Sequence, residues 1–438
     1  MDLQKLSRVL ADATGGPNVY VRTTPEILDF TDPDAKCELT IHGQGGNVVT
    51  ISLGDDLLAV VGQLRVSVFA KGMKVVCWNW KTLASYFRAK TGEFSVEATI
   101  IDLKVMELYV GLTNNAPESL AEGLNRIKTL IGSGAWKEIQ PIYQQVHLPL
   151  LTEVIPALET VGILNSDTRK KVHACYEICG QANGRLNSSV DFRDGFHPHS
   201  LSDDVKKKLK PRALDELFMY FDFKNMEVAM LQWLSKDERL GEVLGTPDVY
   251  LEIYRLITGL ESKEKEDRNK AKKMFLPVIY GQSAQALGHR LKLALPTAEK
   301  IVARIHDLFP TAVGYTRAVF EGAEATGSAK DIFGKRRQFP KGEEYNALNF
   351  SVQAPGATVC LEKLVKLHSA LKGTADVAYS VHDGYCIFAT KDTWKKAFKV
   401  GHSVLTGESD LCPGLRLKVA CHAGRNLDSL KPISTGAK

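Results

Sequence analysis

Arg268, Lys272, Leu276 and Tyr280 recur at intervals of four in the stretch RNKAKKMFLPVIYGQSAQALGHR (268–290). On a 3.6-residue period they fall on one helical face, two cations first, then an apolar residue, then a ring ahead of Gly281. Such a face can hold a phosphate group at one end and a flat ring at the other; the plainer reading is an amphipathic helix with a wet basic side. Two carboxylates lie on either side of it in the chain. Asp222 sits near the end of the apolar run Leu217 to Phe223, where a buried charge is costly unless compensated, and a divalent cation is one compensation. Asp383 follows His382 and precedes Gly384 between two extended runs in TADVAYSVHDGYCIFAT (374–390). Either aspartate alone would serve equally as a turn or surface residue. Together, on adjacent strands, they could hold two Mg²⁺ ions about 3.5–4 Å apart, one activating an attacking hydroxyl and the other stabilising leaving oxygens.

The elements that must position these residues follow from periodicity. The first 110 residues alternate strand and helix: KCELTIHG and NVVTISLG read as strands around a Gly-rich turn (43–46), LLAVVGQLRVSVFA as a helix entering a strand, and MKVVCWN as a buried strand. KTLASYFRAKTG gives a helix with a glycine stop, and EATIIDLKVMELYVGL a strand then a helix. GQGGN (43–47) lies between extended runs and suits a hairpin turn better than a phosphate cradle, and no GxxxxGK[ST] loop occurs. Residues 115–180 read as helical, including DTRKKVHACYEIC (167–179). Pro141, Pro149 and Pro156 divide WKEIQPIYQQVHLPLLTEVIPALETVGI into an expected helix pair, and Pro277 predicts a kink in the 268–280 helix. LDELFMYFDFKNMEVAMLQWL is a strand ending near Asp222 followed by a helix, and 374–390 is a β-hairpin with His382 and Asp383 at its tip.

Composition bounds the class. With 438 residues, 44% hydrophobic and 24% charged, the chain is long enough for two or three domains and reads as a globular protein. The formal charge of +5 permits a nucleic-acid partner without implying one. Basic residues concentrate in KKKLKPR (206–212), in the run from Arg268, and in GKRRQFPK (334–341). Arg185, expected to project from the turn in GQANGRLNSS, is a phosphate or sugar contact if nucleic acid lies nearby. Eight cysteines form no dense framework, so a reducing compartment is expected. His173, Cys175 and Cys179 lack a fourth ligand at zinc spacing. No signal peptide is read, and no apolar run approaches the roughly 20 residues of a membrane span.

Taken in order, these motifs resemble those of the family A DNA polymerases, of a kind found in bacteria and their phages. DFKNME (222–227) is similar to the family's first palm motif. Arg268, Lys272, Tyr280 and Gly281 match its fingers-helix pattern R-x₃-K-x₇-Y-G, and VHD (381–383) resembles the third motif. The GRL of ANGRLNSS, GKRRQFP, Asn349 and Gln353 in NFSVQAPGA, and the closing AGRN (423–426) are weaker matches, and the shared order covers about residues 145–438.

The resemblance implies template-directed transfer of a deoxynucleotide from a dNTP to a primer 3'-hydroxyl. Asp222 and Asp383 would bind two Mg²⁺ ions, with Mn²⁺ as an alternative, and Lys272 and Arg268 would hold the triphosphate. His382 would lie near the primer terminus. Glu227 would exclude the ribose 2'-hydroxyl, while Leu276, Tyr280 and Gly281 would line the nucleotide site. Arg185, Asn349 and Gln353 would touch primer or template; Lys206, Lys207, Lys208, Lys335, Arg336 and Arg337 would take backbone phosphates. The implied fold is an α/β exonuclease-like N-terminal domain followed by an α+β right-hand polymerase with an antiparallel palm sheet, helical fingers and a shortened helical thumb. Its expected parts are 1–135 exonuclease-like, 136–190 reduced thumb, 191–260 and 346–438 palm, and 261–345 fingers.

Departures from the family pattern are as informative. Leu276 stands where phenylalanine or tyrosine is usual, Gly384 replaces an acidic residue, and Tyr345 and Ala229 occupy sites that are often arginine. Only about twenty residues separate Ile163 from Gly184 where the thumb normally has a long insertion, which implies low processivity or a processivity or replisome partner. Leu83 falls where a proofreading aspartate is expected, and no D-x-E occurs in the early strands, so the N-terminal domain is expected to lack proofreading and to act as a scaffold or docking surface. Primer–template DNA and dNTPs are the implied partners, no membrane is, and the implied location is a bacterial or phage-infected cytoplasm. A catalytically silent polymerase-like DNA-binding or replication-accessory protein is the competing class; a single-subunit RNA polymerase is another, against which Glu227 argues.

Overall fold

The computed structural model describes residues 18–24, 29–32, 37–43, 47–53, 57–92, 94–110, 120–132, 134–178 and 181–433. The chain forms two compact units. The first comprises Met1–Asp222, Cys360–Leu405 and Val419–Lys438, and the second Phe223–Val359 and Thr406–Lys418. Elements are numbered here in chain order.

The first unit begins with a five-stranded sheet ordered β3-β2-β1-β4-β5. β1 (Asn18–Thr24), β2 (Cys37–Gly43) and β3 (Val48–Leu53) are antiparallel, while β4 (Lys74–Cys77) and β5 (Thr99–Asp102) continue it in parallel. The β2–β3 pairing is the expected hairpin, and its tip at 44–46 lies outside the described residues. β1 went unread in the sequence. α1 (Leu57–Ser67) is not followed by the expected strand, because the amides of Val68 and Phe69 both close back on the Leu64 carbonyl at 2.9 and 2.8 Å. That bonding keeps them out of a ladder. α2 (Trp80–Thr91), α3 (Leu103–Val110) and α4 (Leu120–Gly132) follow as expected.

Two further expectations are corrected in the next stretch. The prolines do not divide a helix pair: α5 (Ala135–Ile142), π-helical turns at Tyr143–His147 and Leu150–Val154, and α6 (Ile155–Val161) form one continuous helical run. Leu148 donates to the Tyr143 carbonyl and Ile155 to that of Leu150, both five residues back. These wide turns redistribute the bonds that Pro149 and Pro156 cannot make. Residues 167–179, expected helical, contain instead the strand β7 (Lys171–Glu177), paired with β6 (Ile163–Asn165) and β8 (Asn187–Ser189). The Asn165 side chain accepts the Asp167 amide at 3.0 Å and Arg169 adopts φ +57°, reversing the chain before any helix can start. β9 (Gly195–Phe196), α7 (Asp203–Lys208) and β10 (Leu209–Lys210) complete this layer.

Glu159 of α6 links these pieces. Its carboxylate takes Lys81 Nζ of α2 at 2.8 Å, the Ser85 hydroxyl, and the Tyr176 amide of β7 at 2.8 Å, all buried. The Tyr176 hydroxyl in turn accepts the Ser380 amide at 2.8 Å and donates to the Ser380 carbonyl at 3.1 Å.

Ser380 belongs to a third five-stranded sheet, ordered β14-β15-β11-β16-β17. Its strands are β11 (Glu216–Lys224), β14 (Asp376–Val381), β15 (Gly384–Thr390), β16 (Lys418–Gly424) and β17 (Lys431–Ile433). The β11 and β14–β15 expectations hold. Helix α16 (Trp394–Thr406) packs on β11 with Phe398 and Phe221 stacked at 6.3 Å. Gly401 permits that approach, since a Cβ there would come within 2.7 Å of the Phe221 ring.

The second unit is largely helical: α8 (Met226–Ser235), α9 (Glu238–Gly245), α10 (Val249–Thr258), α11 (Lys265–Ile279), α12 (Ala284–Leu291), α13 (Leu295–Leu308), α14 (Pro310–Thr326) and the hairpin β12 (Ser328–Lys330)–β13 (Arg336–Gln338). The helix α15 (Asn346–Leu371) contributes its residues up to 359. Asp237 caps α9 through Leu240 N at 2.9 Å and also takes Ala312 N of α14 at 3.1 Å, so one carboxylate fixes two helix starts. α11 runs past Pro277 to Ile279, where the Gln282 amide closes on the Pro277 carbonyl at 2.8 Å. Seven cysteines (37, 77, 175, 360, 386, 412 and 421) are buried free thiols. Among the described residues no helix is long and apolar enough to cross a membrane.

Candidate active site

In the first unit, the register of β11 against β15 brings the two aspartates to one end of the sheet. Asp222 lies directly opposite Gly384, and Asp383 is the preceding residue at the hairpin tip. Opposed Cα atoms in an antiparallel pair stand about 4.5–5.5 Å apart, so the backbone of Asp222 faces the residue that follows Asp383, and both carboxylate charges reach the Tyr220 phenol. The tip turns through His382, whose φ is +48°. Tyr220, two residues before Asp222 on the same strand face, points its phenol along this edge. Burial first, then the charges of Asp222, Cys386 and Asp383, push that phenol well above its ordinary range, so it is a neutral hydroxyl.

His382 is flanked by groups the sequence did not single out. Its ring centroid lies 4.6 Å from that of His199, and the Ser188 hydroxyl bridges Nδ1 of His197 and Nδ1 of His199, each at 2.6 Å. Burial, then the Arg185 cation, lower the His382 pKa while Asp383 opposes them. The Arg185 cation reaches His382 from the segment after the Gly184 turn. His199 is pushed down to about 4 by burial and by His382 and His197.

In the second unit, α11 presents Arg268, Lys272 and Leu276 as expected, with Tyr280 at its C-cap and Gly281 in the left-handed region at φ +81°. Tyr280 donates its hydroxyl to Glu227 Oε1 at 2.9 Å, and Gln353 Nε2 of α15 reaches the same oxygen at 3.3 Å. Glu227 lies in the first turn of α8, just after Asn225 at φ +56°. Asn349, one turn before Gln353, is exposed.

Asp248 and Tyr250 are functional neighbours that sequence reasoning missed. Arg268 Nε donates to Asp248 Oδ2 at 2.7 Å; Arg268 and Lys272 both lie over the Tyr250 ring, at 5.3 and 5.0 Å. Burial works against the Asp248 charge, yet the Arg268 hydrogen bond and the amides of Leu251 and Tyr250 hold its carboxyl below the usual range. The signal available was the helix-capping TPDVY; nothing local says that the cap also holds Arg268.

The basic runs divide. Lys206 and Lys207 pair with Asp203 and Asp204 at 3.1 and 3.5 Å, and Lys208 with Asp167 at 3.0 Å, all solvent-exposed. Arg336 is exposed and Arg337 lies over Phe339 at 5.1 Å. Lys335 corrects the expectation of a phosphate contact: it is 0% exposed and its ammonium donates to the Ala354 carbonyl at 2.9 Å. Its long chain is part of the packing, and the turn at 331–335 points it inward. His173 Nδ1 donates to the Glu159 carbonyl at 2.8 Å, the Cys175 thiol is pushed up to about 11 by burial, and Cys179 lies outside the described residues.

Beside the N-terminal sheet, Leu83 of α2 is 2% exposed. The end of β5 carries Asp102, wholly buried, whose carboxylate takes the amides of Trp80 at 2.6 Å, Lys104 at 2.9 Å and Asn79 at 3.3 Å. That carboxylate is committed to starting α2 and α3.

Paired carboxylates with only oxygen donors suit a hard divalent cation. Among the described residues no group of three or more His, Cys, Asp or Glu side chains gathers as a metal centre, so further ligands at Asp222 and Asp383 would be backbone, water or phosphate oxygens, as Mg²⁺ accepts.

An antiparallel sheet edged by two aspartates, with a helical unit carrying a cation–tyrosine face, defines the fold of a polymerase domain. The POL domain of Pol1 from M. smegmatis, solved in complex with DNA primer-template and dNTP, superposes with a TM-score of 0.78 at 15% identity, covering 98% of this chain and 99% of that one. The sequence profile of DNA polymerase family A matches residues 136–429, and the chain belongs to that family. DNA polymerase I of Helicobacter pylori strain J99 is 24% identical over 305 residues, 66% of this chain and 33% of that protein. The thermostable DNA polymerase I of Thermus aquaticus is 26% identical over 270 residues, 57% and 32% respectively. The chain thus spans about a third of the length of the curated relatives it matches. Family A DNA polymerases use divalent metal ions.

Proposed function

We propose that this chain is a template-directed DNA polymerase, adding deoxynucleotides from dNTPs to a primer 3'-hydroxyl. The observation that supports the reading is the register of β11 against β15, which pairs Asp222 with Gly384, the residue after Asp383. Two Mg²⁺ or Mn²⁺ ions held there would activate the primer hydroxyl and neutralise charge on the leaving pyrophosphate. Arg268 and Lys272 supply the positive face for the triphosphate, and Asp248 and Tyr250 hold them extended until it binds. Tyr280 and Leu276 line the nucleotide pocket. Glu227, fixed by Tyr280 and Gln353, blocks the place a ribose 2'-hydroxyl would need. His382, uncharged at neutral pH, and Arg185 steady the primer end. Asn349 and Gln353 on one face of α15, with Lys206, Lys207, Lys208, Arg336 and Arg337, contact the duplex without reading its sequence.

In the same reading, residues 1–135 form an exonuclease-like domain without proofreading, 136–190 a reduced thumb, 191–260 and 346–438 the palm, and 261–345 the fingers. The buried, amide-bound Asp102 and the apolar Leu83 support the loss of proofreading, because neither offers a carboxylate to a metal. A processivity or replisome protein would compensate for the small thumb, and the cytoplasm of a bacterium or phage-infected cell is the proposed location.

Primer extension tests the proposal. The wild-type chain should extend a primed template with dNTPs and Mg²⁺, and Asp383→Asn should abolish extension while leaving duplex binding nearly intact. An active D383N protein would sink the assignment. A wild-type chain that binds duplex and extends nothing would instead mark a silent, polymerase-like DNA-binding protein.

A further inference from the structure

The backbone at position 384 touches a side chain rather than empty space. A Cβ placed on Gly384 would stand 2.1 Å from the Tyr220 hydroxyl oxygen and 2.6 Å from its Cζ. The phenol therefore fills the volume that any side chain at 384 would occupy, beside Asp222, the direct cross-strand partner of Gly384. Tyr220 pairs with Cys386 and its ring lies 6.4 Å from that of Tyr379, so its reach toward 384 is set by the strand and its packing. The residue is half-buried.

We propose that Tyr220 is a positioning residue of the metal site: its hydroxyl donates to a carboxylate oxygen of the Asp222–Asp383 pair once ions are bound, and Gly384 is glycine so that the phenol can stand there. This rests on the polymerase reading of the two aspartates. A carboxylate that binds a cation through one oxygen leaves the other open, and a fixed neutral donor orients it without adding charge. Partners of this kind are worth about 10- to 100-fold in metal affinity or activity.

The test reads metal binding without turnover. Mn²⁺ is titrated into the protein bound to a primer–template whose primer ends in a dideoxynucleotide, and free Mn²⁺ is followed by electron paramagnetic resonance. Tyr220→Phe should weaken Mn²⁺ binding about 10-fold, with unchanged circular dichroism and primer–template affinity, because the ring and its packing remain. Gly384→Ala, which displaces the phenol without deleting it, should weaken binding to a similar degree. In a Tyr220→Ala background, Gly384→Ala should have no further effect. Wild-type Mn²⁺ affinity in Y220F, or an undiminished penalty for G384A in the Y220A background, overturns the proposal. Asp222→Asn and Asp383→Asn separate the two levels. If neither disturbs Mn²⁺ binding, the polymerase reading falls with this one; if both abolish it and Y220F does not weaken it, only the role of Tyr220 falls.

Discussion

Glu227 Oε1 receives two donors, Tyr280 Oη and Gln353 Nε2, and this fixes the carboxylate, at the mouth of the proposed nucleotide site, rather than leaving it to swing with its helix. Hydrogen bonds to a charged group are worth about 1.5–3 kcal/mol each, a factor of roughly 10 to 100. Glu227→Ala should therefore raise the rNTP-to-dNTP ratio of kcat/KM by about 10- to 100-fold, and Tyr280→Phe by less, read in parallel single-nucleotide incorporation assays. A second residue-scale expectation concerns acid. His199 is held near 4 in the folded chain, against about 6.5 when unfolded. Between those values the unfolded state binds a proton that the folded state refuses, so stability falls as pH drops from about 6.5 toward 4 and gains nothing above 6.5. Denaturant midpoints across that window should fall less steeply for His199→Asn than for the wild type. Helical spacing singled out Arg268, Lys272 and Tyr280, an apolar strand ending in a charge singled out Asp222, and Glu227 came only with the resemblance of DFKNME to a family motif. Asp248, Ser188, His199 and Tyr220 were not, since each meets its partner across elements distant in sequence, and Lys335 misled because a basic run looks the same whether a lysine points out or in.

At the scale of elements, buried Glu159 gathers α2, α6 and β7, and Tyr176 passes that anchorage to the strand leading into the His382–Asp383 tip. Removing one partner of a buried pair costs about 3–5 kcal/mol, whereas replacing both by apolar groups costs much less. Lys81→Met should lower the thermal midpoint by several degrees, and Lys81→Met with Glu159→Gln, which removes the unpaired charge but keeps an acceptor for the Tyr176 amide, should recover part of the loss, as calorimetry would show. Strands and helices with clear alternation were readable from sequence. The errors fell where a local rule was overridden. Prolines that ordinarily break a helix are accommodated by π-turns, and an Asx turn at Asn165 sends a mixed segment into the strand β7. β1 was overlooked, although NVYVRTT carries the β-branched and aromatic residues that favour strands.

For the whole molecule, the proposed reading makes the small region between Ile163 and Gly184 a short grip on the backbone of a bound duplex. Extension from a single encounter, measured with a trap for released enzyme, should give short products, and long products from the isolated chain would contradict the reduced-thumb reading. Changing Lys206, Lys207 and Lys208 together to Gln should lower the slope of log affinity against log salt by about 0.9 for each phosphate no longer neutralised, with little effect on extension from preformed complexes. The fold's class was legible because motif order survives at low identity; its division into units was not, because the second unit is built from two separated stretches of chain. The seven interior thiols carry one last consequence. Thiol alkylation requires an ionised, reachable sulfur, and burial denies both, raising Cys37 and Cys421 to about 12. These seven thiols should resist iodoacetamide at neutral pH and take up label only as regions open, so the masses of the peptides that carry them would map which part of this chain loosens first.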